Sequence, residues 1–292
     1  MSTDTCKLCP RRCNADRVSS YGFCGCPSDA VLSKYMLHRW EEPPISGTKG
    51  SGALFFAGCT LKCVYCQNRE ISNTPVGEAK SPRELADIFL ELQEMGAHNI
   101  NLVTPTHFSD KIVQALDIAK PRLCIPTVYN TSGYESVEAL KKLEGYIDVY
   151  LPDFKYFDSG LSMKYSKAPD YFEVASRALA EMYRQVGAYT EDENGILKKG
   201  MMVRHLVLPG QRHDSVRVLE ELHKLLPVKD VRLSLMSQFT PDFVPEEYRE
   251  LKRKITTFEY NFVLNKAIDL GFEGFFQQKD SASAKYTPDF KK

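Results

Sequence analysis

Short apolar runs alternate with amphipathic helical stretches along most of this 292-residue chain, and that alternation limits the folds it can adopt. Between Ser81 and Gly96, a serine N-cap and a first-turn proline precede apolar residues at helical spacing. Strand, helix and short connection in repetition imply right-handed crossovers and a parallel sheet. The pattern predicts strands at 53–58, 99–103, 123–129, 147–151, 201–208 and 231–236, and further helices at 109–119, 136–143, 170–186, 214–226 and 257–270.

These six strand–helix units predict an α/β fold: a parallel (β/α)6 partial TIM barrel with a cysteine-rich, mostly irregular N-terminal segment. Residues 1–50 are interrupted by prolines and glycines and show little periodicity, so we predict that they form a separate metal-binding segment. Residues 51–292 then form the core, with a C-terminal extension. Asn194-Gly195 predicts a hairpin turn, and 274–277 an additional short strand.

Charge and composition exclude several classes of partner. Lys plus Arg and Asp plus Glu both number 38, so no net positive field favours nucleic acid or an anionic membrane. The sequence has no apolar run long enough to cross a bilayer and no signal-peptide pattern, which predicts a cytoplasmic protein. Nine cysteines in a reducing compartment indicate metal binding or catalysis rather than disulfides.

Three of those cysteines, Cys59, Cys63 and Cys66, lie within eight residues directly after the first predicted strand. Thiolates are soft ligands that suit zinc or iron–sulfur clusters, and a four-iron cluster with a complete cysteinyl set needs four of them. Three cysteines leave one iron open, as catalysis requires. A structural zinc site or a ferredoxin-like carrier would need a fourth protein ligand.

This Cys-x3-Cys-x2-Cys spacing, with Tyr65 before its last cysteine, resembles the radical S-adenosylmethionine superfamily motif. Over 6–277 the chain further resembles the pyruvate formate-lyase activating enzyme-like (PflX-like) proteins. The segments that carry this second resemblance are Phe55-Phe56-Ala57-Gly58-Cys59, Asn130-Thr131-Ser132-Gly133, Asp153-Phe154-Lys155 and the run from Arg204 to Gly210.

The resemblance implies a [4Fe-4S] cluster on Cys59, Cys63 and Cys66, with S-adenosylmethionine on its open iron. It implies an enzyme that takes one electron from a flavodoxin- or ferredoxin-like donor. The enzyme would form a 5'-deoxyadenosyl radical, which abstracts hydrogen from a protein or peptide, and a glycyl-radical-enzyme activase is the specific form of this expectation. Two alternatives stay open: radical modification of a small molecule, and a metal-binding redox or scaffold protein without turnover.

Further candidates for the cofactor pocket stand where predicted strands end. Thr104 and Thr106 occupy the position of the superfamily's Gly-Gly-Glu-like segment, and His107 beside them is an alternative catalytic acid or base. Charged residues inside apolar strands are costly unless they face a polar site, although a buried ion pair with Asp153 is an equally simple explanation. The pocket candidates are Tyr65, Thr104, Thr106, Asn130, Ser132, Lys155 and Arg204, with Gln238 as a weaker one and Cys124 expected only as a small core residue.

The N-terminal segment carries five more cysteines and has no apolar core of its own. A metal ion would order it. We expect Cys6, Cys9, Cys13 and Cys24 as ligands of a second site, with Cys26 as an alternative ligand. Zinc and a second [4Fe-4S] cluster both suit four thiolates, and the residues do not choose between them.

Overall fold

A computed structural model describes residues 5–277 and residue 290. One sheet runs through it in the order β10-β9-β8-β6-β5-β4-β2-β1-β3, and β7 pairs with β8. The strands described are β1 (Ala30–His38), β2 (Ser51–Phe56), β3 (Glu78–Lys80), β4 (Ile100–Val103), β5 (Thr127–Thr131), β6 (Val149–Pro152), β7 (Thr190–Glu191), β8 (Leu197–Leu206), β9 (Val231–Met236) and β10 (Gly274–Phe276).

The sheet is mostly parallel, which confirms the predicted α/β class. All the ladders from β2 through β4, β5, β6, β8 and β9 to β10 are parallel. This parallel part has seven strands rather than six, because the short run at 274–276 pairs with β9. In the described residues β10 and β3 end the pairing order, so the sheet is open between them.

Strand β1 lies inside the segment that the sequence suggested was irregular, so that prediction is wrong for residues 30–38. It pairs antiparallel with β2 on one side and with β3 on the other. A register shift between Leu32 and Lys34 interrupts the strand, which breaks the two-residue alternation that identifies strands in sequences. Residues 5–29 contain no helix or strand, as predicted.

Helices cover the sheet, and their ends follow local capping chemistry. Ser81 and Thr256 each form a capping box with the glutamate three residues later, Glu84 and Glu259, which satisfies free N–H groups at each helix start. The helices described are α1 (Pro43–Ser46), α2 (Arg69–Asn73), α3 (Pro82–Glu94), α4 (Ser109–Ala119), α5 (Val137–Lys141), α6 (Ser159–Ser166), α7 (Tyr171–Val186), α8 (Arg212–Leu225) and α9 (Thr257–Asp269).

The central strands are buried on both faces, as expected for a parallel sheet between helices. Every residue of β2, β4, β5 and β6 is buried. Such a sheet is rigid, and its carboxyl-terminal edge can therefore hold side chains in fixed positions. Among the described residues, no helix has the length and apolar character needed to span a membrane.

Candidate active site

A cavity of about 220 Å³ opens at the carboxyl ends of the parallel strands. This edge is where α/β folds place their ligands, because the loops that follow successive strands converge there. Seven residues singled out from the sequence line the cavity: Cys63, Tyr65, Cys66, Asn130, Lys155, Arg204 and Gln238. The fold therefore brings the cysteine motif and the charged strand residues to one site.

The cysteine motif forms the loop between β2 and α2. Gly58 and Lys62 take positive φ angles of 77° and 53°, which turn the chain sharply on either side of Cys59. Hydrogen bonds reach all three sulfurs: the Leu61 amide donates to Cys59 Sγ at 3.3 Å, the Ser166 hydroxyl to Cys63 Sγ at 2.9 Å and the Ser72 hydroxyl to Cys66 Sγ at 3.7 Å. The loop is thus bound to its own backbone and to the end of α6.

The three thiols lie close enough to influence one another. Burial raises the pKa of Cys63, and the Cys59 thiol raises it further. Burial together with Cys63 and Cys59 raises the pKa of Cys66 to about 12. A cation that binds thiolates would relieve this cost, since metal binding displaces the protons.

The donor set fits a cluster by its chemistry. It offers soft thiol ligands on one loop, beside a cavity with room for a further ligand. In residues 5–277, no three Cys, His, Asp or Glu side chains already stand in metal-binding geometry. The fit therefore rests on donor type, spacing and the adjoining cavity.

Arg204 organises the charged wall of the cavity. Its guanidinium donates to Asp153 at 2.9 Å, to Glu41 at 2.9 Å and to the Asn130 side-chain oxygen at 2.7 Å. Lys155 Nζ lies 2.6 Å from the second oxygen of Asp153. The buried ion pair considered in the sequence is therefore present, and both cations line the cavity as well.

The ion pairs of Asp153 with Arg204 and Lys155 determine which side chains of this wall are charged. Burial opposes the charge on Asp153, but Arg204 and Lys155 outweigh it and hold the pKa of its carboxyl below the usual value. Burial likewise opposes the charge on Lys155, while Asp153 and the Cys63 thiol raise its pKa. Lys155 and Arg204 therefore stay charged next to the cysteine loop, each paired with carboxylates of the same wall.

Five sequence candidates at this edge are not among the residues that line the cavity: Cys59, Thr104, Thr106, His107 and Ser132. The Thr106 hydroxyl donates to buried Glu135 at 2.5 Å, and the Ser132 carbonyl accepts from a tyrosine. His107 is fully buried with its Nε2 2.7 Å from the Ala57 carbonyl, and burial lowers its pKa to about 4. Thr104 adopts a positive φ of 61°, a conformation that a β-branched residue rarely takes.

Other lining residues escaped sequence reasoning, and Glu41 is the most important of them. It accepts from Arg204 at 2.9 Å, from Asn130 at 2.9 Å and from Asn101 at 3.2 Å. It follows β1 closely, so recognition of that strand would have placed it at the sheet edge. His38 and Trp40 line the cavity from the same segment.

The N-terminal cysteine segment comes close to the cysteine loop at Gly58. Burial above all, with smaller contributions from the thiols of Cys6, Cys24 and Cys13, raises the pKa of Cys9 to about 12. Cys26 instead donates to the Ala57 carbonyl at 3.2 Å. A β-carbon at Gly58 would collide with the Cys26 sulfur, so the two cysteine groups are separated by little more than this glycine.

Cys124 was expected in the core, and this expectation is wrong. The residue is exposed, because β5 begins only at Thr127 and Cys124 lies in the preceding turn.

One family model matches the part of the chain that contains the cysteine loop. The sequence profile of the Radical SAM superfamily matches residues 54–184, a range that includes the whole cysteine loop. The match supports the radical SAM superfamily. A radical SAM domain implies an enzyme with a [4Fe-4S] cluster and S-adenosylmethionine.

The chain is also similar to one curated protein and to solved structures. An uncharacterized protein of Methanocaldococcus jannaschii, MJ0674, is 28% identical over 277 residues, which are 91% of this chain and 73% of the relative. The crystal structure of Streptococcus suis SuiB aligns with a TM-score of 0.51 and 17% identity, covering 76% of this chain and 47% of SuiB. This chain thus spans about half the length of SuiB, and the likeness concerns the fold alone. Methylornithine synthase (PylB) aligns with a TM-score of 0.48 and 13% identity, over 75% of this chain and 68% of PylB.

Proposed function

We propose that this protein cleaves S-adenosylmethionine reductively, with a [4Fe-4S] cluster on Cys59, Cys63 and Cys66. One observation carries the proposal: Cys63 and Cys66 of a three-cysteine loop line the same cavity as Lys155 and Arg204. Three thiolates would leave one iron for the cofactor. The profile match over 54–184 supports the same chemistry.

The cavity offers partners for each end of the cofactor. We assign the amino acid carboxylate to Lys155 and Arg204, because both are cations that line the cavity. Asn130, which lines the same wall, can bind a polar group of the cofactor through its side-chain amide. Tyr65 donates or accepts a hydrogen bond of 2.6 Å with Tyr156 and so holds the last turn of the cysteine loop in place.

Reductive cleavage of S-adenosylmethionine requires one electron from an external donor. A cluster held by Cys59, Cys63 and Cys66 would supply one electron for cleavage of the sulfur–C5' bond, with methionine and a 5'-deoxyadenosyl radical as the products. That radical would take a hydrogen atom from the substrate and leave as 5'-deoxyadenosine. A flavodoxin- or ferredoxin-like protein is the proposed donor, since radical SAM enzymes generally need a one-electron donor.

For the substrate we propose a protein or peptide, with a glycyl radical enzyme as the specific form of this hypothesis. The support is the sequence resemblance to pyruvate formate-lyase activating enzyme-like proteins, carried by segments such as Asp153-Phe154-Lys155. The shared cofactor residues do not select a substrate, because fold and cofactor site are common to many reactions.

A second metal, zinc or iron–sulfur, is proposed on Cys6, Cys9, Cys13 and Cys24. Cys9 and Cys24 are buried, and residues 5–29 contain no helix or strand that would order the segment. A metal would therefore contribute order that the backbone does not supply.

The test is cofactor cleavage by anaerobically reconstituted protein with dithionite. Wild type is expected to release 5'-deoxyadenosine, and Cys63→Ala to release none. Cys124→Ala is the matched control, because this cysteine is exposed and stands apart from both groups, and its turnover should equal that of wild type. A wild-type protein that holds a full cluster without cleaving S-adenosylmethionine would contradict the proposal.

A further inference from the structure

Arg11 lies between Cys9 and Cys13 of the N-terminal segment, yet its guanidinium reaches the catalytic cysteine loop. Nε donates to the Thr60 carbonyl at 2.8 Å, one residue after Cys59. The two terminal nitrogens donate to the carbonyls of Ser166, at 3.1 Å, and of Lys167. A single side chain thus joins the N-terminal segment, the cysteine loop and the end of α6.

The end of α6 forms part of the environment of the catalytic thiols. The hydroxyl of Ser166, whose carbonyl Arg11 binds, donates to Cys63 Sγ at 2.9 Å. One residue earlier, the Tyr165 carbonyl accepts from the Val64 amide at 2.9 Å. Arg11 therefore holds both partners of this contact, the loop through Thr60 and the helix through its last carbonyls, where a cation is favoured.

Aromatic rings fix the guanidinium in this position. Its central carbon lies 4.0 Å from the centroid of the Phe23 ring and 5.2 Å from that of Tyr134. Such stacking restricts the side chain while leaving its donors free for the carbonyls. Phe23 precedes Cys24, so the ring too belongs to the N-terminal cysteine segment.

The neighbouring Arg12 provides an internal comparison. Its side chain is 68% exposed and meets Glu138 at 3.8 Å, a distance at which an exposed pair contributes little. The two arginines share the same cysteine-flanked segment and the same charge. Of these two arginines, Arg11 contacts the cysteine loop, whereas the ion pair described for Arg12 is with Glu138.

We propose that Arg11 is a positioning residue, through which the N-terminal cysteine segment fixes the loop that carries Cys59, Cys63 and Cys66. The inference rests on the proposed function and extends it. Cys9 and Cys13 flank Arg11 by two residues on each side, so a metal on those thiols holds the backbone from which the guanidinium reaches. Loss of that metal releases Arg11 and, with it, the catalytic loop.

The test is amide hydrogen exchange of the anaerobically purified full chain, read at Val64. Arg11→Ala is expected to lower protection there by about tenfold, the size expected when a local hydrogen-bonded contact opens more easily. Arg11→Lys keeps the charge but lacks the planar fork, and should fall between Arg11→Ala and wild type. Arg12→Ala should match wild type.

Equal Val64 exchange in Arg11→Ala, Arg12→Ala and wild type overturns the proposal. If Arg11→Ala does not give folded protein, Arg11→Lys decides by the same comparison. A second arm replaces Cys9 and Cys13 together by serine and leaves Arg11 in place. This variant is expected to expose Val64 as Arg11→Ala does, and wild-type exchange in it overturns the link to the cysteine segment.

These readings do not depend on turnover. If wild type fails to cleave S-adenosylmethionine but the arginine variants differ as stated, the proposed function fails and the positioning role stands. When the cluster is present, its reduced electron paramagnetic resonance spectrum should broaden in Arg11→Ala and recover in part in Arg11→Lys, since a mobile Cys63 gives a heterogeneous cluster environment.

Discussion

The N-terminal cysteine segment and the cysteine loop approach each other at Gly58, but they are held by different means. The catalytic loop begins at β2, whose residues are all buried, and ends at α2, so regular structure fixes both of its ends. Residues 5–29 contain no helix or strand, and side chains such as Arg11 and Arg17 bind that segment to the core instead. The fold supplies the geometry of the cysteine loop, whereas residues 5–29 depend on side-chain contacts.

The stability of the cavity wall beside the cysteine loop should be the more sensitive to loss of a single charge. Arg204→Gln leaves Asp153 and Glu41 buried without their shared cation, and we expect a loss of about 3–5 kcal/mol in the free energy of unfolding. Urea titration of wild type and variant measures it. Arg83→Gln is the control, because its pair with Asp87 is exposed and should change stability by less than about 0.5 kcal/mol. A loss below 1 kcal/mol for Arg204→Gln would mean that the ion network does not support this edge of the sheet.

A second prediction concerns pH and the buried Glu135 beneath the β4–α4 connection. Burial raises the pKa of this carboxyl to about 7, so the folded state favours the protonated form. Proton binding to Glu135 therefore stabilises the folded state fully below the unfolded pKa near 4.5, and this stabilisation is lost as the pH rises through about 7. Glu135→Gln removes this dependence, and its stability relative to wild type should rise by about 2–3 kcal/mol between about pH 5 and 8. Parallel slopes for both proteins in urea titrations over that range would contradict the assignment.

On the N-terminal side, Arg17 gives the corresponding test of side-chain anchoring. This buried arginine donates to the His107 carbonyl at 2.7 Å and lies 3.9 Å from Cys6 Sγ. Arg17→Met keeps the apolar stem but leaves the carbonyl unpaired, so we expect a loss of about 1–3 kcal/mol. Limited proteolysis should show cleavage within 5–29 before the core is attacked. Simultaneous cleavage of both regions would show that the segment has no separate stability.

The smallest change in stability is expected at Thr104, a residue with a strained backbone at the carboxyl end of β4. Its φ of 61° is costly for a β-branched residue and free for glycine. Thr104→Gly should therefore raise the free energy of unfolding by about 1 kcal/mol. Thermal unfolding measures this change, and a destabilised variant would show that the threonine side chain contributes more than its backbone costs.

The sequence predicts those elements and site residues whose pattern is local, and it misses those that depend on distant parts of the chain. The helix at 109–119 and the parallel strands follow from periodicity, and the cysteine loop from its spacing. Strand β1 escaped because its register shift hides the alternation, and Glu41 escaped with it. The hydrogen bond of Thr106 to Glu135 and the reach of Arg11 to Ser166 join positions 29 and 155 residues apart, which no local pattern encodes.

The central claim is that Cys59, Cys63 and Cys66 hold a cluster with one iron open to S-adenosylmethionine. Electron paramagnetic resonance of the dithionite-reduced, reconstituted protein tests it directly. We predict a [4Fe-4S] signal that shifts when S-adenosylmethionine is added, and we expect this cofactor-sensitive signal to disappear in Cys63→Ala. A reduced cluster whose spectrum is unchanged by the cofactor, or a cofactor-sensitive signal that persists in Cys63→Ala as in wild type, would contradict the claim.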